Sequence, residues 1–138
     1  MALLRTADQL AADLELAFPP ADPADAVKVE HLDDRAIRLR VPAAGRQLRP
    51  GGSVSGPTQF ALADSVAWLM TLAHLEPGRD ALTAGIAMQF LRRPLPAPLV
   101  GEGRLLKLGR RLSITDVLLY SDGLDEPVAQ ATVTYAPI

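Results

Sequence analysis

The sequence contains no cysteine in its 138 residues. Disulfides, zinc-thiolate sites and a thiol nucleophile are therefore excluded. Histidine is scarce as well, with 2 in the chain, His31 and His74. Neither stands near a second histidine or a suitably spaced acid, so no metal site is indicated. No sign of charge dominates: 14 basic and 16 acidic residues give a formal net charge of -2. A dedicated nucleic-acid binder usually carries a basic excess, so that class is set aside. A local basic patch for a small phosphorylated ligand stays open. No uncharged apolar run reaches the ~20 residues that span a bilayer. Met1 to Phe18 includes Asp8, Asp13 and Glu15 and lacks a basic start with an apolar run behind it. No signal peptide or membrane anchor is expected, and the cytoplasm is the expected compartment. Phosphate-loop, dinucleotide and Gly-x-Ser-x-Gly fingerprints are missing. So are internal repeats and low-complexity linkers.

What is present suits one folded domain over 1–138, with 49% hydrophobic and 22% charged residues. A first helix is expected from Thr6 or Asp8 to about Phe18, with Leu10, Leu14 and Phe18 on its apolar face. Pro19-Pro20 stops it. Ala26 to Leu32 and Arg35 to Val41 alternate and read as a hairpin around Asp33-Asp34, with their charges on a solvated face. Pro42 to Pro57 reads as a long loop containing Gly45, Gly51, Gly52 and Gly56. Thr58 to Leu75 is apolar almost all round, the mark of a buried helix, and Pro77-Gly78 ends it. Four strand-like runs follow: Leu82 to Leu91, Leu99 to Leu108, Leu112 to Ser121 and Val128 to Tyr135. Gly101 and Gly103 suggest bends or bulges in the second. One apolar helix beside about six antiparallel strands implies an α+β fold with the sheet curled around that helix.

Three features could carry chemistry. Asp64 is the one acid in the buried helix. An ionised carboxylate there must be paired, protonated or open to a cavity. It either fills a structural role at a gap in the apolar face or is poised to take a proton. Gly51-Gly52-Ser53-Val54-Ser55-Gly56-Pro57 leads into the same helix. Backbone N–H groups at such a start can hold an oxyanion. The plain alternative is a cap, with Ser55 or Thr58 as N-cap and Pro57 in the first turn. The third feature is basic: Arg92-Arg93 after a strand, and Lys107, Arg110 and Arg111 around Gly109. Guanidiniums suit phosphates, although solvated turns often look the same.

Together these motifs resemble hotdog-fold acyl-CoA thioesterases, with the phenylacetate-pathway type as the most similar subgroup. Gly52, Ser55-Gly56-Pro57 and Leu62-Ala63-Asp64 resemble that family's signature of asparagine, glycine and histidine-glycine-glycine before the helix and leucine-x-aspartate within it. Ala87 to Pro94, Leu106 to Leu112 and Val128 to Tyr135 resemble its Phe-Leu-Arg-Pro strand end, its Lys-Gly-Arg turn and its last strand. The likeness covers roughly Val27 to Tyr135. It departs at three positions: the family histidine is Ser55, its second glycine is Pro57 and its asparagine is Arg49.

The resemblance implies a hotdog fold: a curved antiparallel sheet wrapped around a long central helix, with a short N-terminal helix. It implies hydrolysis of an acyl-CoA thioester, with Asp64 as general base or nucleophile. The Gly56 N–H would polarise the carbonyl, with Ser55 beside it. Arg49, Pro57 and Ser65 would line the substrate site, and Arg92, Arg93, Lys107, Gly109, Arg110 and Arg111 would hold the phosphates of coenzyme A. Phe60, Trp68 and Met88 are expected mainly in the core, and Ser65 and Thr71 as polar partners offered across a subunit boundary. No metal or redox cofactor is required, since coenzyme A is part of the substrate. A homodimer or homotetramer with sites at the boundary is expected. The alternatives on the same fold are a non-catalytic acyl-CoA binder and, fitting less well, an enoyl-CoA hydratase or dehydratase.

Overall fold

The structure is a computed structural model and describes residues 2–42 and 49–138. Part of the expected loop from Pro42 to Pro57, Gly45 included, lies outside the described residues. The elements run α1 (Ala7–Ala17), β1 (Lys28–Leu32), β2 (Ala36–Val41), α2 (Gly56–Leu72), β3 (Ala81–Phe90), β4 (Leu99–Leu108), β5 (Ser113–Ser121) and β6 (Ala129–Pro137). The six strands form one antiparallel sheet in the order β1-β2-β4-β5-β6-β3. This is the expected α+β hotdog architecture, with the sheet curved around α2.

Local chemistry starts each helix. Thr6 accepts from the Gln9 N–H at 3.2 Å, and the Gln9 side chain accepts from the Thr6 N–H at 2.8 Å. This reciprocal box satisfies two donors that the helix cannot. Leu10 and Leu14 are buried as expected. Phe18, the third member of that face, is 69% exposed. It caps α1, and its ring rests edge-on against Trp68 at 6.2 Å. Arg5 ties this segment to the far end of α2. Its guanidinium donates to the carbonyls of Leu75, Glu76 and Arg79 and pairs with Asp13 at 2.8 Å.

The sheet packs on α2 through alternate residues of its strands. Ile37, Leu39, Val117, Leu119, Ala131 and Val133 meet Leu62, Val66, Leu69 and Met70 in one core. Gly101 and Gly103 are not bends. A Cβ on Gly101 would lie 2.8 Å from Val66 Cγ2, and one on Gly103 would lie 2.5 Å from Val66 Cγ1. The glycines let α2 sit directly on β4, and the irregularity in β4 falls later, between Leu105 and Lys107. The charges of β1 and β2 form the expected solvated face, where Arg40 pairs with Glu30 and Asp122, and Arg38 with Glu30 and Glu102.

One side of α2 is left uncovered. Phe60 and Ala61 are exposed, and Asp64, Ser65 and Trp68 are half-buried. These residues recur at helical spacing and form a stripe beside β3. Phe60, expected in the core, is 43% exposed because it lies on this stripe. Trp68 and Met88 pack against the core from its margin.

Candidate active site

Asp64 projects from the uncovered stripe toward the sheet. Its Oδ1 accepts from Thr83 Oγ1 at 3.0 Å and from the Tyr135 hydroxyl. Oδ2 makes no hydrogen bond to any described residue. The acid is thus paired through one oxygen, with the other unspent. Burial, together with the carboxylate beside it, pushes the Tyr135 phenol well above its ordinary range. The hydroxyl keeps its proton and acts as donor. Neither Thr83 nor Tyr135 belongs to the site read from sequence. A threonine and a tyrosine on strands carry no pattern that ties them to an acid many residues away.

The start of α2 holds a second unspent group. Ser55 is the N-cap: its Oγ accepts from the Thr58 N–H at 3.2 Å and donates to Thr58 Oγ1 at 2.8 Å. The Gln59 N–H reaches the Ser55 carbonyl at 3.1 Å. Pro57 has no N–H to offer. The Gly56 N–H is therefore left without a partner among the described residues, as the first donors of a helix are unless capped. Gly51 and Gly52, at φ +102° and +89°, turn the chain into this start.

Gly56 borders an open cleft of about 630 Å³, also lined by Arg49, Gln59, Phe90, Arg92 and Arg93. Arg93 donates to the Gly51 carbonyl at 3.1 Å. Arg92 donates to the Pro127 carbonyl and pairs with Glu126 at 2.9 Å. Gln59 is 4% exposed. Its amide N–H donates to the Val54 carbonyl at 3.3 Å, tying the approach loop to the helix, and its Oε1 has no partner.

The expected basic residues do not form one cluster within the chain. Leu95 binds Ser121, which sets Arg92 and Arg93 at the Ser121 end of β5. Lys107, Gly109, Arg110 and Arg111 line a separate cleft of about 530 Å³. They sit at the β4–β5 turn by Ser113, the other end of β5. The strand separates the two groups by roughly 26 Å at 3.3 Å per residue. Thr71 is corrected: it is fully buried, donates to the Ala67 carbonyl at 2.9 Å and meets the Ser113 hydroxyl at 3.1 Å, so it faces its own core. Ser65 lies half-buried on the uncovered stripe. His31, in β1, meets Asp33 at 2.6 Å, and His74, in the turn after α2, meets the Asp34 carbonyl at 2.9 Å.

The model of the Thioesterase superfamily matches residues 51–128, more than half of the chain. A crystal structure of a candidate thioesterase from Silicibacter sp. is 41% identical, covers 100% of this chain and 95% of its own, and superposes with a TM-score of 0.89. A phenylacetic acid degradation-related protein from Ralstonia eutropha, also a candidate thioesterase, is 26% identical over 91% of this chain and 98% of its own, with a TM-score of 0.75. A thioesterase from Haemophilus influenzae shares the fold at 18% identity, with 100% and 95% covered and a TM-score of 0.83. Among curated proteins no sequence matches this chain. On the family match and the 41% identity over its full length, the chain belongs to the Thioesterase superfamily, whose chemistry is thioester hydrolysis.

Proposed function

We propose that the protein hydrolyses an acyl-CoA thioester, with Asp64 as general base or nucleophile and the Gly56 N–H as donor to the thioester oxygen. The observation that carries this reading is that α2 holds two unspent groups, a carboxylate oxygen and a helix-start N–H. Hydrolysis needs both a base or nucleophile at the carbonyl carbon and a donor where negative charge develops on oxygen. Ser55 contributes by capping the helix and holding Gly56 in place.

One protomer cannot complete the site. Gly56 and Asp64 lie eight positions apart on α2, roughly 12 Å along its axis. A cavity for one carbonyl cannot touch both. β3 supplies the geometry for a shared site. Its Phe90 end lies at Gly56, with a Cβ there 3.9 Å from the Phe90 ring, and its Thr83 end lies at Asp64. A two-fold axis across the middle of β3 pairs that strand with its copy. The Gly56 of one copy then faces the Asp64 of the other. The same axis draws the Arg49, Arg92 and Arg93 group toward the opposite copy's Lys107, Arg110 and Arg111, a basic surround suited to the phosphates of coenzyme A. β3 fits this role as an edge. Its ten residues include no charge, whereas the other edge, β1, carries Lys28 and Glu30.

The test is thiol release from short, long, branched and aromatic acyl-CoA by purified parent and Asp64→Asn. The parent is expected to release thiol from at least one substrate. The variant should be slower by about 100-fold or more with an unchanged fold. Equal turnover by parent and variant overturns the role of Asp64. Tight acyl-CoA binding without thiol release would instead identify a binding protein.

A further inference from the structure

Asp64 is held by two hydroxyls that come from different strands and form one device. Thr83 and Tyr135 are directly opposed across β3 and β6. Side chains of such a pair share one face of the sheet and lie close together. That Thr83 faces α2 at all depends on an irregularity in β3. Phe90, Met88 and Ile86 oppose Ala129, Ala131 and Val133, all fully buried against the helix. Even-numbered residues of β3 therefore face α2 along this stretch. Uninterrupted alternation would bring Ala84 opposite Tyr135 and turn Thr83 outward. Instead the register shifts between Thr83 and Gly85, and Ala84 is absorbed as a bulge. Bulges re-aim side chains in this way. Beyond it Thr83 faces the helix and reaches Asp64 Oδ1 at 3.0 Å.

We propose that Thr83 and Tyr135 are positioning residues, which fix the Asp64 carboxylate through Oδ1 and present Oδ2 as the reacting oxygen. This rests on the reading of Asp64 as the reacting carboxylate. A carboxylate on a short side chain can rotate about its last bond and exchange its two oxygens. Two donors on Oδ1 oppose that rotation. Tyr135 is 4% exposed and its ring is packed, so its hydroxyl is a fixed point. Thr83 stands on the edge strand proposed to meet a second copy, so the clamp sits where the shared site would form. A misplacement of about 1 Å can cost around 100-fold in rate, so holding one oxygen still is a sizeable contribution.

The experiment compares thiol release by the parent, Thr83→Val, Thr83→Ser, Tyr135→Phe and Asp64→Asn. The substrate is whichever of acetyl-, palmitoyl-, isobutyryl- and phenylacetyl-CoA the parent turns over fastest. Thr83→Val and Tyr135→Phe are expected to lower kcat by about tenfold or more with KM within about twofold. Thr83→Ser, which keeps the hydroxyl, should retain parental kcat. Moving the hydroxyl one residue along, as Thr83→Ala with Ala84→Thr, should not restore it, because position 84 lies in the bulge. Thr83 is exposed in the single chain and outside its core, so its variants, checked for an unchanged oligomeric state, decide the matter even if Tyr135→Phe does not fold. Parental kcat in Thr83→Val alongside an inactive Asp64→Asn overturns the clamp and leaves the proposed function standing. Equal loss in Thr83→Val and Thr83→Ser, or rescue from position 84, also overturns it. A parent that releases no thiol from any of the four, or an Asp64→Asn as fast as the parent, overturns both.

Discussion

At the scale of single residues, Tyr135 and Arg5 show what burial does to polar groups. The Tyr135 phenol is raised by burial first and by the neighbouring Asp64 next. An unfolded tyrosine loses its proton near pH 10, while the folded one retains it. Its contribution to stability is therefore full below about pH 10 and is lost as pH rises beyond that. Melting temperature measured from pH 8 to 11 should fall at the alkaline end in the parent, and fall less steeply in Tyr135→Phe. Arg5 is 6% exposed and serves three carbonyls and one carboxylate. Arg5→Ala leaves those carbonyls without their donor. Urea unfolding should show a loss of about 3 kcal/mol, in the range for breaking a buried charged cluster.

At the scale of elements, the contact between α2 and β4 is the most demanding. Val66 is fully buried and occupies the space that side chains on Gly101 and Gly103 would need. Val66 is β-branched and has little rotamer freedom on a helix, so it cannot move aside. Gly103→Ala should cost about 1–3 kcal/mol by overpacking, measured by denaturant unfolding. Pairing it with Val66→Ala should recover part of the loss, because the clash is removed. The β3 bulge is the second decisive element. It leaves the strand paired with β6 while changing which residues face the helix, and so lets an edge strand supply a ligand to Asp64.

At the scale of the whole molecule, the uncovered stripe of α2 and the uncharged edge of β3 adjoin. Leu82 and Phe90 on that edge are 58% and 55% exposed. A long apolar edge of this kind pairs with another strand unless something guards it. Sedimentation should therefore show at least a dimer. Ala61→Arg, which puts a charge on the exposed stripe, should shift the protein toward monomer with unchanged circular dichroism and lower activity. A parent that sediments as a monomer at micromolar concentration would overturn the shared site. Among the described residues no helix is long and apolar enough to cross a membrane.

Sequence by itself determined the order and kind of the two α-helices and the six strands, while the short 3-10 turn Pro23–Asp25 falls in a stretch that reads as loop. Hydrophobic period and turn residues are local properties, and they mark α2 and the six strands to within a few residues. It also singled out Asp64, because one acid in an apolar helix stands out without reference to anything else. Tertiary structure decided what that acid touches. Tyr135 reaches it from the inward face of β6, and Thr83 only because a bulge changes the parity of β3; parity read along the chain cannot reveal where a strand absorbs an extra residue. Tertiary structure also divided the basic residues between the two ends of β5 and turned Thr71 into its own core. It likewise gave Gly101 and Gly103 their purpose, since close approach between a helix and a strand is a property of two distant segments at once.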